Sequence, residues 1–336
     1  MPMLVEQARQ VAGQWVAEEG AGMPGFLGAF LAGSVLWARG DETLAPWSDV
    51  DVTVVSQDTA QHAGKFRYNG VLLEVSTLSM AELGSPQDVL SHYHLAGGFH
   101  RPSVLADPTG RLGEIQRVVS RDFAEKPWIL ARCAQAMDAI RGRINRMDPA
   151  DPPAEQATSW LFGTGGMPHV LLVAALRNPT VRGRYPAVRD LLAAHHRLDC
   201  YERLLDLLGC AELDAARVRG HLAALEEVYD AAAPLAAPAY RFASDVSAVA
   251  RPIAIDGSRD LIERGLHREA VFWIVATYAR CLLKLAAAGA HRTAYERGFR
   301  ALLADLGAET FRDRRRRGDH VLAALPDLWQ TAMSLC

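Results

Sequence analysis

Paired cysteines, a long hydrophobic run and an excess of one charge are all missing from this chain. Its five cysteines, Cys133, Cys200, Cys210, Cys281 and Cys336, are scattered, with no pair at two-residue spacing. That pattern excludes a disulfide framework and a zinc ribbon, and fits free thiols in a reducing compartment. No apolar run comes near the ~18 to 20 residues of a membrane span. The first twenty residues carry Glu6, Gln7, Arg9, Gln10, Glu18 and Glu19 on a helical period, unlike a signal peptide. A cytoplasmic protein with no membrane partner is expected. The net charge of -3 gives no global field to gather nucleic acid. What remains, 336 residues that are 50% hydrophobic and 22% charged, suits a globular protein with a sizeable core and two domains.

The first third mixes helix and strand patterns. Val5 to Ala17 has an apolar stripe at Val5, Ala8, Val11, Ala12, Trp15 and Val16 and predicts an amphipathic helix. Gly25 to Ala32 predicts a short strand, and Ser103 to Ala106 another. Val50, Val52 and Val54 alternate with Asp49, Asp51 and Thr53, as in a half-buried strand. Lys65 to Thr77 predicts a hairpin turning at Asn69-Gly70, a dipeptide suited to a type I′ turn. Beyond Arg111, Ala- and Leu-rich helical periods run through Ile129–Ile144, Trp160–Leu176, Val188–Leu208, Ala211–Tyr229 and Leu261–Ala288. They are interrupted by a proline-rich linker at Asp148–Pro153. The expected class is α+β: a mixed sheet flanked by helices over residues 1–125, then a helical bundle over 126–336.

Three pieces stand out in order: Gly33-Ser34, Ser48-Asp49-Val50-Asp51-Val52, and Leu73-Glu74-Val75. The period of two puts Asp49 and Asp51 on the face opposite Val50, Val52 and Val54. Were the strand of Glu74 its neighbour, three carboxylates would converge on the open side. Crowded carboxylates are tolerable with a cation among them, and an all-oxygen set suits Mg²⁺ or Mn²⁺. Two such ions would clamp the attacking and leaving oxygens of a phosphoryl displacement. Gly33-Ser34, after a strand and opening a helix, could cradle phosphates.

Gly-Ser, then Asp-x-Asp, then a later strand carboxylate resembles the signature of the polymerase-β-like nucleotidyltransferase superfamily. The segments Pro46–Asp51 and Leu73–Ser76 are most similar to its streptomycin/spectinomycin adenylyltransferases. The resemblance implies that Asp49, Asp51 and Glu74 bind two Mg²⁺ ions, with Glu74 as ligand or general base. It implies that Gly33, Ser34 and Ser48 hold the phosphates of ATP or another nucleoside triphosphate. A basic side chain of the loop Asn178–Tyr185, Arg182 or Arg184, would neutralise pyrophosphate, with Arg39 a weaker candidate. The acceptor would be a hydroxyl of a small molecule such as an aminoglycoside. A protein or RNA hydroxyl, as in toxin–antitoxin partners, and a non-catalytic nucleotide-binding relative are the alternatives. The stretch Ser34–Asp49 is a few residues longer than the family's spacing, which implies a longer loop over the nucleotide.

Other signals carry less. His92 and His94, two apart on an expected helix, do not share a face; His195 and His196 read as surface. Glu155, Asp190, Glu202 and Glu269 are open as alternative bases, each read as helix surface. Gly163-Thr164-Gly165-Gly166 follows no strand, so it is a bend between helices rather than a dinucleotide fingerprint, and Trp160 beside it reads as core. The five arginines of Arg312–Arg317 read as a solvated helix face or tail loop, since no aromatics are interleaved for nucleic acid.

Overall fold

The computed structural model describes residues 2–57 and 64–336; Met1 and 58–63 of the expected first domain lie outside the described residues. Two compact units divide the chain: 1–135 with 176–179, and 136–175 with 180–336. The division between Gln135 and Ala136 falls inside the helix Lys126–Asn145.

In the first unit, helix α1 (Val5–Glu18) precedes strand β1 (Phe26–Ala32), the single-turn helix α2 (Gly33–Trp37) and strands β2 (Val50–Ser56), β3 (Gly64–Tyr68), β4 (Val71–Ser79) and β5 (Val104–Ala106). The sheet order is β3-β4-β2-β1-β5, with β2 and β4 parallel and the other pairs antiparallel. The protein is therefore α+β with a mixed sheet. One sheet face packs Val52, Val54, Leu73 and Val75 against Val5, Ala8, Ala12, Trp15 and Val16 of α1. Each such burial stabilises by roughly 1.5–3 kcal/mol, so a charge placed at Val52 would break this layer. The other face packs Phe30 and Val55 against Leu90, Phe99, Leu112 and Ile115. The Asn69-Gly70 turn has φ of +45° and +83°, the left-handed pair that joins β3 to β4 in tight register.

Among the described residues the regular elements of the second unit are all helices. Three of the long expected helices are each two. Trp160–Leu176 is divided between Pro153–Thr164 and Met167–Ala174, Val188–Leu208 between Arg184–Ala194 and Leu198–Leu208, and Leu261–Ala288 between Gly257–Glu263 and His267–Ala287. His196 and Gly265, at φ of +55° and +78°, mark the second and third breaks, because a left-handed residue cannot continue a right-handed helix. At the first, Gly163, Gly165 and Gly166 bring the chain so near Ile144, Phe272 and Ile140 that a Cβ would fall 2.5, 2.3 and 2.7 Å from them. By length and composition His267–Ala287 is apolar enough to cross a membrane, although Arg280 and Lys284 interrupt its apolar run; 72% of its apolar window is buried inside the protein. Trp160 is fully buried, as expected.

Candidate functional site

Register assembles the site. Ala32 of β1 lies opposite Asp51 of β2, Asp51 opposite Glu74 of β4, and Glu74 opposite Lys65 of β3. Residues in register share a face, so these four form one row across four strands. The next row along β2 and β4 is Thr53 and Ser76, whose hydroxyls lie 3.4 Å apart, and the row after that is Val55 and Leu78. The face thus grades from charged through polar to apolar.

Asp49 sits just before β2, yet reaches the same row through Lys65. Lys65 Nζ donates to Asp49 Oδ2 at 2.6 Å and to Glu74 Oε2. The Lys65 side chain is 7% exposed, whereas Asp49 and Glu74 keep 19% and 27%, so the carboxylates face an opening and the ammonium lies behind them. Asp51 is half-buried between them. Burial first, then the Asp49 and Glu74 charges, push its carboxyl well above the usual range, and Lys65 opposes the shift. In its protonated form Asp51 donates a hydrogen bond to Glu74, which holds it there.

Gly33 completes the arrangement. Its φ is +64°, and a Cβ there would fall 1.7 Å from Asp51 Oδ2. Both the left-handed backbone and the contact demand glycine. The α2 turn is held from outside by Arg9 of α1, whose guanidinium donates to the carbonyls of Val35 (3.1 Å) and Ala38 (2.7 Å). Ser34 is exposed on the first turn of α2, and Ser48 is half-buried beside Asp49. The sequence therefore anticipated the union of Gly33, Asp51 and Glu74, and missed Lys65. The signal was available: a two-residue turn at Asn69-Gly70 pairs 68 with 71 and so, counting back, 65 with 74.

Other expectations resolve differently. Arg184 is 2% exposed, stacks 4.1 Å over Phe272, and donates to the carbonyls of Val181 and Gly165, each at 2.6 Å. The side chain expected to meet phosphate thus lies buried in the helical unit, with its Nε and one Nη on main-chain carbonyls. Arg182 donates to the Ile253 carbonyl at 3.1 Å in the same unit. Arg39 pairs with Asp41 at 3.1 Å, in a loop whose backbone is tied to the residues around Leu4. Glu269 is not helix surface: it is 3% exposed and accepts from Tyr201 Oη. Glu202 pairs with Arg268, and Asp190 with Arg189. His92 caps the helix Pro86–Ser91 rather than lying within a helix, and its Nδ1 accepts from the backbone of Leu95 at 3.2 Å. The arginine cluster is not simply solvated either: Arg314 is buried, and Arg317 donates to the carbonyls of Gly307 and Asp206, each at 3.1 Å.

The donor chemistry of Asp49, Asp51 and Glu74, hard oxygens with charge in excess of their one lysine, suits a divalent cation. Among the described residues no set of three His, Cys, Asp or Glu side chains is already grouped for a metal ion. In comparisons with known proteins, no family model matches the chain and no curated protein matches it.

Proposed function

We propose that the first unit is a Mg²⁺-dependent nucleotidyltransferase centre that moves a nucleoside monophosphate, AMP from ATP in the first instance, onto a hydroxyl of a small molecule. The observation that carries this reading is the row in which Asp51 and Glu74 stand in register with Gly33 pressed against the Asp51 carboxylate. Asp49, Asp51 and Glu74 would hold Mg²⁺, which when bound supplies charge stabilisation to the triphosphate and the incoming oxygen. The raised Asp51 carboxyl supports this, since a group that takes up a proton to relieve crowding is one that a cation would serve better.

The remaining work is positioning. Gly33 lets the backbone come close to the carboxylates, and exposed Ser34 offers a hydroxyl beside it for phosphate. Glu74, more exposed than Asp49 or Lys65, is placed to take the acceptor proton as the acceptor oxygen bonds to the α-phosphorus and the bond to pyrophosphate breaks. Lys65 keeps Asp49 and Glu74 oriented while competing for the same oxygens. An aminoglycoside acceptor follows from the sequence resemblance and is part of the proposal.

Lys65 also favours a second reading, a nucleotide-binding protein without transfer, in which the ammonium permanently replaces the cation. One assay separates the two. Purified protein is incubated with Mg²⁺, each of four nucleoside triphosphates and a panel of hydroxyl acceptors, following pyrophosphate release and acceptor mass. An acceptor gaining a nucleoside monophosphate, lost in Asp51→Asn, supports transfer. Nucleotide binding that neither needs Mg²⁺ nor releases pyrophosphate supports the second reading and sinks the first.

A further inference from the structure

The helical unit holds a pocket of about 580 Å³, partly open to the surface, within the roughly 300–1,000 Å³ typical of small-molecule sites. Leu282, Leu283, Phe299 and Leu303 give it an apolar wall. Two residues that line it carry buried polar atoms with no partner among the described residues: Tyr240 Oη and Arg314 Nε.

Arg314 is the unusual one. It is 2% exposed. Nη1 donates to the carbonyls of Ala308 and Glu309, both at 2.8 Å, and Nη2 donates to Gln156 Oε1 at 2.5 Å. All three acceptors are neutral. Asp313, its neighbour in sequence, is engaged with the Thr310 hydroxyl and with Arg316. Burial holds the Arg314 guanidinium below its ordinary pKa, and Asp313 only opposes that shift. A buried cation without a paired anion is costly, and a spare donor on it adds to that cost. Both deficits would be met by an anion bound in the cavity.

We propose that this cavity is a binding site for a small organic acid, with an aliphatic or aromatic body against Leu282, Leu283, Phe299 and Leu303 and its carboxylate accepting hydrogen bonds from Arg314 Nε and Tyr240 Oη. The charge balance selects a monoanion. Glu155, Glu296 and Glu309 line the cavity along with Arg292 and Arg300, so a triphosphate would meet as much repulsion as attraction. The site is independent of nucleotidyl transfer, since every lining residue belongs to the helical unit.

The test uses the full chain and anilinonaphthalenesulfonate, a fluorescent apolar-bodied monoanion, displaced by octanoate, octanol or octylammonium. Octanoate displaces the probe at concentrations at least about tenfold below the other two, as a charge-assisted hydrogen bond requires. Tyr240→Phe weakens octanoate about three- to tenfold with an unchanged melting temperature, because its hydroxyl has no partner to lose. Ala286→Trp, which fills the cavity from an exposed position, removes probe binding; Leu283→Phe serves the same purpose should the tryptophan lower the melting temperature. Equal displacement by octanol and octanoate overturns the proposal, as does undiminished binding in the filled variants.

Discussion

Charge is buried in both units, in opposite ways. In the sheet unit, three carboxylates crowd around one ammonium, and Asp51 is driven toward its protonated form. In the helical unit, buried Arg184 and Lys284 direct their donors to main-chain carbonyls: Gly165 and Val181 for the arginine, Ala233 and Val246 for the lysine. A cation satisfied by neutral backbone dipoles ties segments together, whereas Arg314 in the same unit keeps a buried Nε without a partner among the described residues. Like charges with too few counter-charges store an electrostatic penalty that a substrate or ion relieves. The difference separates scaffold from site more sharply than burial alone does.

The comparison breaks most easily at Asp51. Asp51→Asn should reduce nucleotidyl transfer by about a thousandfold or more while leaving the melting temperature in metal-free buffer equal or higher. Residual transfer near the wild-type rate, measured by pyrophosphate release, would remove Asp51 from the site. Arg184→Ala should show the reverse pattern on the helical side. It orphans two buried carbonyls and a stacking face, and urea unfolding should register a loss of about 3 kcal/mol; a loss below about 1 kcal/mol would show that the guanidinium does not hold that unit together.

Gly33→Ala should cost on the order of 2 kcal/mol, from a left-handed backbone and a methyl group driven into Asp51. Its signature is a joint loss of stability and transfer, read by thermal melting and single-turnover rates, and transfer surviving intact would detach Gly33 from the carboxylates. Lys65→Met should destabilise the metal-free protein by about 2 kcal/mol and enlarge the rise in melting temperature on adding Mg²⁺. An unchanged Mg²⁺ increment would mean that the lysine and the ion do not share ligands. The smallest effect concerns pH. Asp51 has a raised carboxyl pKa, so the folded state holds its proton where the unfolded state has released it. Metal-free stability therefore falls as pH rises above the ordinary carboxylate value of 3.8 toward the raised one. Subtracting the Asp51→Asn pH profile should isolate this slope, and two parallel profiles would contradict it.

The parts legible in the sequence were those decided by local chemistry. Alternating valines placed β2, Asn69-Gly70 placed the hairpin, and period two put Asp51 and Glu74 on the face away from Val52 and Val75. Lys65 joins the site only when the hairpin register is counted through from Asn69-Gly70, a pairing that its own local pattern does not display. Arg184 and Arg314 were misread for a different reason. Long-range contacts to Gly165 and Gln156 decide their burial, and no spacing along the chain encodes those contacts. The breaks at His196 and Gly265 fall between apolar stretches that look continuous, since periodicity reports side-chain pattern and not backbone handedness.

The Asn69-Gly70 turn has a consequence for how the centre is assembled. Lys65 and Glu74 are nine positions apart on a single hairpin, so their pairing needs only a short loop to close, an event of roughly microseconds. Asp51 joins through a parallel pairing, which forms more slowly because the chain must cross over to make it. The ammonium would thus already be seated against Glu74 when the aspartates arrive, so their negative charge would be introduced onto a pre-neutralised edge.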